Sequence, residues 1–236
     1  MMDEAKYEKI RAFVGCSLLA RIVLQALLCF LIFLALNSVE VRAQVSNVES
    51  ISAAQSGNSR DSNYRLLRGD NEFAIWGAGS FDAPTLIGST YRPIAMLGLR
   101  YGRIMGTNQL GTLEYVVDII PIQVVFDQEN GRGTKGNVYG AGINYGGLKV
   151  SYLRRSRVKP FVSVSGGFIV YTRRVPLEGR NLNFTYSLDG GLDIFTGKKR
   201  ALTVGYKFYH ASDAVHTKDN IGTNDNMISI GFSLFR

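Results

Sequence analysis

Strict alternation of apolar and polar side chains near the C-terminus is the feature that most constrains the fold of this chain. In the segment 202–209 one face is apolar and carries Leu202, Val204, Tyr206 and Phe208. Period-two alternation is typical of a β-strand whose two faces meet different surroundings. His210 and Ser212 fall in step with Phe208, on the apolar face. A base and a hydroxyl on that face are unexpected in a soluble protein, and they fit a strand that faces lipid.

The sequence predicts an all-β fold, an eight-stranded antiparallel transmembrane β-barrel formed by residues 71–236. The predicted strands are 72–82, 91–104, 112–126, 137–153, 158–172, 182–196, 199–212 and 225–235. Charged residues occur in the middle of the polar faces, at Arg100, Glu114, Asp118, Asp189 and Lys207. A small barrel with a paired polar interior explains them, although a soluble sandwich would also alternate. A phase slip near Gly146 and Gly147 indicates a bulge or kink in the fourth strand.

The lengths of the predicted links are a second argument for a membrane barrel. Links after strands two, four and six are short, whereas those after three, five and seven are longer, at 127–136, 173–181 and 213–224. Outer-membrane barrels have short periplasmic turns and longer external loops. If both termini are periplasmic, the seventh strand runs outward and ends at the level of the outer leaflet.

The N-terminus has the layout of a secretory signal peptide. Lys6, Lys9, Arg11 and Arg21 precede an apolar run over residues 22–36, and Val41-Arg42-Ala43 fits a cleavage site before Gln44. A retained transmembrane anchor is the alternative, but the run is shorter than the roughly 20 residues that a bilayer needs. Residues 1–43 are therefore expected to be removed, and the polar segment 44–70 is expected to be a flexible lead-in. Both cysteines lie in the leader, so the mature chain would contain no disulfide.

Composition excludes several other functions. The formal net charge of +8 is spread along the chain without a dense basic block, so nucleic acid is not an expected partner. No His, Cys and Asp cluster has metal-ligand spacing, and no Gly-rich loop precedes a helix, so no metal or organic cofactor is implied. Trp76 in the first strand is expected to be an aromatic residue at the membrane interface.

His210 and Ser212 form a candidate nucleophilic pair. A serine hydroxyl becomes a nucleophile when a base takes its proton, and an imidazole two residues away on the same strand face can do this. A third group normally orients the imidazole, and hydrogen-bond donors must hold the oxyanion. The following loop offers amides and a glycine at Asn220, Gly222 and Asn224, and acids at Asp213, Asp219 and Asp225. A His and a Ser two residues apart are usually ordinary surface residues. Here the lipid-facing strand and the polar loop that follows it favour a nucleophilic pair.

The run YKFYHASDAVHTKDNIGTNDNMISIGFSLF, residues 206–235, resembles the C-terminal signature of outer-membrane lipid A 3-O-deacylases in the acyloxyacyl hydrolase-like family. The family pattern is approximately His-x-Ser-Asn-Ala, a short spacer, Asn-x-Gly and a final strand. GTLEYVVDIIPIQVVF and VKPFVSVSGGFIVYTRRVP are similar to upstream strands of that family. The resemblance covers most of residues 72–235 and is most specific in the C-terminal motif.

The resemblance implies an outer-membrane serine esterase that removes the ester-linked acyl chain at the 3 position of lipid A. By matching positions, His210 would be the base and Ser212 the nucleophile. Asn220, with a backbone amide near Val215, would form the oxyanion hole. The partner is then lipopolysaccharide in the Gram-negative outer membrane, and whether the barrel forms a homodimer is left open.

Two positions depart from the family pattern. Asp213 stands where the pattern has Asn, and Asn224 stands where the triad has a Glu. An Asn can orient an imidazole by accepting a hydrogen bond, but it cannot offset the imidazolium charge. Replacing the acid of a serine triad can lower turnover by about 10⁴. Asn224 is therefore the expected third residue, with Asp213 or Asp225 as alternative acids, although Asp225 would point to the opposite face once the last strand has begun.

Two other functions remain as alternatives. The first is a small, ion-tight outer-membrane barrel with a reduced or inactive site and a structural or interaction role. The second is a soluble β-sandwich that binds a ligand in the periplasm.

Overall fold

Eight strands account for nearly all of the chain that the computed structural model describes, which is residues 64–81, 93–129, 133–177, 179–213 and 222–236. The strands are β1 (Asn71–Phe81), β2 (Ile94–Thr107), β3 (Gly111–Glu129), β4 (Lys135–Tyr152), β5 (Val158–Tyr171), β6 (Leu182–Gly197), β7 (Arg200–Ser212) and β8 (Thr223–Phe235). All eight predicted strands are confirmed, and no predicted end is displaced by more than three residues. The predicted leader 1–43, residues 44–63 of the lead-in, Val215 and Asn220 lie outside the described residues.

The strands close into a single antiparallel barrel. Each strand pairs with the next in sequence, and β8 pairs with β1. Glu72 lies opposite Phe235 at the closure, where the backbones of Asn71 and Arg236 exchange two hydrogen bonds of 2.6 and 2.8 Å. Closure leaves no unpaired sheet edge, so the backbone polar groups of the wall are satisfied within the sheet. The predicted irregularity in the fourth strand is confirmed, because the β4–β5 register shifts between Ile143 and Gly146.

The outer and inner faces of the barrel have the opposite polarity to those of a soluble protein. Outward side chains of β7 such as Leu202 and Val204 are 44% and 46% exposed, whereas the inward side chain of Lys207 is 3% exposed. The same reversal recurs around the wall, with Leu, Val, Ile, Phe and Tyr outside and carboxylates, lysines, serines and asparagines inside. An apolar outer wall over a polar interior is the pattern of a transmembrane β-barrel. The soluble β-sandwich is therefore wrong.

Ion pairs hold the interior together, as the charged residues in the middle of the strands predicted. The Arg100 guanidinium donates to both carboxylate oxygens of Asp118 at 2.8 and 2.9 Å, and the Trp76 indole donates to Asp118 Oδ1 at 3.0 Å. Lys207 donates to Asp189 at 2.8 Å. Elsewhere in the interior, Lys149 Nζ lies 2.8 Å from Asp193 and 3.6 Å from Glu72. Glu114 lies beside Glu72, and both side chains pack over Gly102.

Trp76 is an inward residue, so its expected place at the membrane interface is wrong. Its side chain is 8% exposed and is hydrogen-bonded to Asp118. The indole fits because Gly98 lies opposite it on β2, where a Cβ atom would come within 2.2 Å of the ring.

The two ends of the barrel differ in their links. One end has links of two to five residues, at 108–110, 153–157 and 198–199, and the other has a five-residue link at 130–134 together with longer links at 82–93, 172–181 and 213–222. The β3–β4 link is shorter than the predicted 127–136, because both strands continue beyond the membrane-type alternation. Short turns lie in the periplasm in outer-membrane barrels, so the link lengths predict that β7 runs outward and that Ser212 lies at its external end.

Residues 64–70 pack against the short-turn end of the barrel. Leu66 is 2% exposed and belongs to a cluster with Ile104, Phe195, Ala201 and Phe235. The ring of Tyr64 meets that of Phe195 edge to face, with centroids 6.2 Å apart. These contacts cover the short-turn end of the interior. Among the described residues, no helix is long and apolar enough to cross a bilayer.

Candidate active site

The register of β7 places His210 and Ser212 together on the outer wall. The intervening inward positions, Tyr209 and Ala211, are 1% and 2% exposed. Tyr209 Oη donates to Gln123 Oε1 at 3.1 Å inside the barrel, and Gln123 Nε2 donates in turn to Tyr171 Oη at 2.9 Å. Because this buried network holds Tyr209 inward, its neighbours in the strand must project outward. The imidazole and the hydroxyl are both partly exposed, as the alternation predicted.

β8 brings Asn224 directly against the imidazole. His210 and Asn224 are opposite each other in the β7–β8 register, and the His210 Nδ1 to Asn224 Oδ1 distance is 2.5 Å. An amide oxygen only accepts hydrogen bonds, so in this arrangement Nδ1 carries the proton and donates it. Nε2 is then the unprotonated nitrogen, which is the tautomer required of a general base.

Tyr186 supports the imidazole from the other side. It lies opposite His210 in the β6–β7 register, and the two rings stack with centroids 4.6 Å apart and an interplanar angle of 26°. Phe208 adds a tilted contact to the Tyr186 ring at 6.2 Å. Tyr186 could not be identified as a site residue from the sequence, because only the pairing of β6 with β7 makes it a neighbour of the imidazole.

Gly222 allows the chain to cross closely over the two candidate catalytic side chains. Its φ angle is +77°, and a Cβ atom there would lie 2.8 Å from His210 Cε1 and 2.9 Å from Ser212 Cβ. The left-handed conformation and the short distances both exclude a side chain. The backbone that enters β8 is thus held against the His210–Ser212 pair.

The two alternative acids lie on other faces. Asp225 is opposite Tyr209 in the β7–β8 register, so it shares the inward face with Tyr209 and is fully buried. Asp213 follows Ser212 and is 2% exposed. Directly paired residues of an antiparallel sheet project from the same face, and this rule assigns Asn224, rather than Asp225, to the face of the imidazole.

The candidate site is therefore a hydroxyl, an imidazole and an amide on an apolar surface. Phe184 lies opposite Ser212 and is 48% exposed on the same outer wall. Residues two positions apart in a strand are separated by about 7 Å along its axis and point to the same face. The side chains of His210 and Ser212 can therefore approach each other above the wall. Such a group can assist attack by the hydroxyl on an ester that is already in the lipid phase.

The closed barrel, its apolar wall and its polar interior define an outer-membrane β-barrel, and the His–Ser–Asn group gives that barrel a candidate site on its lipid-facing surface. The family model described as "Lipid A 3-O-deacylase (PagL)" matches residues 115–233, which is half of the chain. The chain belongs to this family of lipid A deacylases.

Several solved structures of outer-membrane proteins are similar to the chain, all with low sequence identity. The crystal structure of the outer membrane enzyme PagL is 15% identical, with a TM-score of 0.49, over 70% of this chain and 98% of that chain. OprG from Pseudomonas aeruginosa is 10% identical, with a TM-score of 0.49, over 74% and 98% of the two chains. Neisserial surface protein A is 12% identical, with a TM-score of 0.43, over 71% and 97%. No curated protein matches the sequence.

Proposed function

We propose that this protein is a serine esterase that hydrolyses the ester at the 3 position of lipid A in the outer leaflet. The observation that carries the proposal is the contact between His210 and Asn224 on the outer wall, with Ser212 on the same face. Membership of the deacylase family supplies the substrate class. The external end of β7 lies at the height of the leaflet that holds lipopolysaccharide.

In the proposed reaction, Ser212 Oγ attacks the ester carbonyl while His210 Nε2 takes the hydroxyl proton. The tetrahedral intermediate collapses by breaking the bond between the acyl carbon and the sugar oxygen, and His210 returns the proton to that oxygen. A water molecule, deprotonated by His210, then attacks the acyl-serine. The bond between the acyl carbon and Ser212 Oγ breaks, His210 returns the proton to Oγ, and the fatty acid is released. Asn220 and a backbone amide near Val215 are proposed as oxyanion donors from the family pattern, and both residues lie outside the described part of the chain.

Asn224 acts in this proposal as a positioning residue. Its oxygen keeps the His210 proton on Nδ1, and Tyr186 restricts the ring from the opposite side. It provides no negative charge for the imidazolium that forms during attack. The absence of charge compensation at this position is the observation that favours the second candidate, a barrel with reduced or no activity and a structural or interaction role.

The proposed function is tested by incubating the purified barrel with lipopolysaccharide and measuring the mass of lipid A. The expected result is loss of one hydroxyacyl chain, with fragmentation spectra that assign the loss to the 3 position. Heat-dependent migration in gels identifies the folded barrel in the same sample. An unchanged lipid A mass in the presence of folded protein would support the second candidate instead.

Replacing Asn224 by aspartate should raise the deacylation rate by about tenfold or more, since the acid of a serine triad is worth up to about 10⁴ in turnover. The two side chains have the same shape, so the carboxylate would occupy the position of the amide oxygen, 2.5 Å from His210 Nδ1. The rate is measured with saturating lipopolysaccharide in detergent.

Asn224→Leu is the matched control for this change, because it keeps the volume and removes the acceptor. It should lower the rate below that of the unmodified protein. A fall of Asn224→Asp to the rate of a protein without Ser212 would show that Asn224 is not the residue that orients the imidazole.

A further inference from the structure

Cationic side chains crowd the short-turn end of the barrel. Ten exposed or half-exposed residues form this group, which we call the basic rim: Arg65, Arg68, Arg103, Arg154, Arg155, Arg157, Lys198, Lys199, Arg200 and Arg236. Among the described residues at this end, Asp70 is the one acidic side chain that lies outside the interior. It pairs with Lys199 at 2.6 Å. The acids further inside, Glu72 and Asp193, face Lys149. The rim therefore carries a large uncompensated positive charge.

The hydrogen bonds of the rim hold its side chains in place without neutralising them. Arg154 donates to the backbone oxygens of Leu66 and Asn108 at 3.3 and 3.4 Å, and Arg157 donates to that of Phe195 at 2.9 Å. Partial burial, together with the nearby charges of Arg65 and Arg155, lowers the pKa of the Arg154 guanidinium. A guanidinium has several N–H donors, so these arginines keep donors for an external anion.

The rim begins where the apolar wall of the barrel ends. On β7, Arg200 is the outward residue next to Leu202 and Val204 at the short-turn end of the strand, and it lies opposite Leu234 of β8. On β2, Arg103 occupies the outward position below Tyr101. Outward arginines at the border of an apolar band lie at the level of lipid headgroups. Since the short turns are periplasmic, these headgroups belong to the inner leaflet of the outer membrane.

A cavity of about 540 Å³ lies within the rim, lined by residues 196–200 and 234–236. It brings together Lys198, Lys199, Arg200 and Arg236 with two apolar side chains, those of Leu234 and Phe235. Its volume is in the range of small-ligand sites. Leu234 is 37% exposed on the outer wall, so the cavity continues onto the surface along which an acyl chain would lie.

From this charge and shape we propose that the basic rim binds the anionic headgroups of phospholipids in the periplasmic leaflet, with one headgroup in the cavity between the β6–β7 turn and the C-terminus. The phosphate accepts from lysine and arginine, and the acyl chain follows the wall beside Leu234. A zwitterionic headgroup fits less well, because its own cation meets the excess positive charge of the rim. This proposal depends on the orientation of the barrel and not on the deacylase reaction.

The test uses protein extracted from outer membranes in a zwitterionic detergent. It is titrated with phosphatidylglycerol or phosphatidylcholine, and retained lipid is counted by native mass spectrometry. We expect phosphatidylglycerol to bind at least about tenfold more tightly. The rim variant Lys198→Gln/Arg200→Gln/Arg236→Gln should lose about tenfold or more of this affinity, since each basic residue near an anionic surface contributes about fivefold.

The matched control removes three exposed cations from the opposite end, as Lys135→Gln/Arg174→Gln/Arg180→Gln, so that both variants have the same net charge. It should retain phosphatidylglycerol as well as the unmodified protein does. Equal losses in the two triple variants, or equal binding of the two lipids by the unmodified protein, would overturn the proposal. Complete displacement of phosphatidylglycerol by millimolar inorganic phosphate would also overturn it, because a free-anion site would then explain the rim.

Discussion

Replacing Ser212 by alanine should lower the rate of lipid A deacylation by at least about 10⁴-fold. Loss of the nucleophile or the base of a serine hydrolase lowers turnover by about 10⁶, and the remaining binding groups still accelerate the reaction over that in water. The outward face of β7 holds this hydroxyl beside an imidazole whose Nδ1 contacts Asn224. His210→Ala should cause a loss of similar size. The double variant should be no slower than either single variant, because the two groups act as a unit. Release of hydroxyacyl chains, followed by mass spectrometry, measures all three.

Ser229→Ala is the control for this series. Ser229 lies on the neighbouring strand, and its Oγ donates to the backbone oxygen of Gly205 at 3.2 Å. Removing that hydroxyl should leave the rate within about twofold, because a single hydrogen bond contributes only about 1 kcal/mol to stability. If Ser212→Ala retains the rate of the unmodified barrel, another nucleophile performs the reaction and the proposed mechanism is wrong.

Replacing Arg100 by leucine should destabilise the barrel by about 3–5 kcal/mol, because it leaves the Asp118 carboxylate buried without its cation. Asp118 is fully buried, and both of its oxygens accept from the Arg100 guanidinium. The Trp76 indole would remain as a neutral donor at 3.0 Å. Reversible urea unfolding in phospholipid vesicles, followed by tryptophan fluorescence, measures the change in the free energy of unfolding.

The double variant Arg100→Leu/Asp118→Leu separates the loss of a charge partner from the loss of packing. It removes the stranded carboxylate and leaves only the Trp76 donor unsatisfied, which costs about 1–3 kcal/mol. The double variant should therefore be more stable than Arg100→Leu. If both are equally destabilised, packing by the Arg100 stem is what matters, and the ion pair is not a major source of stability.

The architecture could be predicted from the sequence because two patterns, the alternation of side chains and the lengths of the links, both indicate a membrane barrel. The alternation from Leu202 to Phe208 indicates a strand with one apolar and one polar face. Charges in the middle of strands, such as Asp118 and Lys207, indicate a polar interior. The outward position of His210 and Ser212 followed from the same alternation. Asn224 could be proposed as the third residue from the family motif, and the β7–β8 pairing places it against the imidazole.

Contacts that depend on pairing between strands could not be predicted. A tight β6–β7 turn pairs Gly197 with Arg200, and continuing that register would place Ser187, not Tyr186, opposite His210. A register shift between Phe195 and Gly197 moves the pairing by one residue and brings Tyr186 to the imidazole. Trp76 was misplaced for a related reason, because the space for its indole is provided by Gly98 on another strand.

The strand that closes the barrel also completes the candidate site. β8 pairs with β1 along one edge and with β7 along the other, and Asn224 lies on the second edge. A polypeptide that stops before β8 would have neither a sealed wall nor an oriented imidazole. In the proposed mechanism, lipid hydrolysis can therefore begin only after the last strand has been inserted and the barrel has closed.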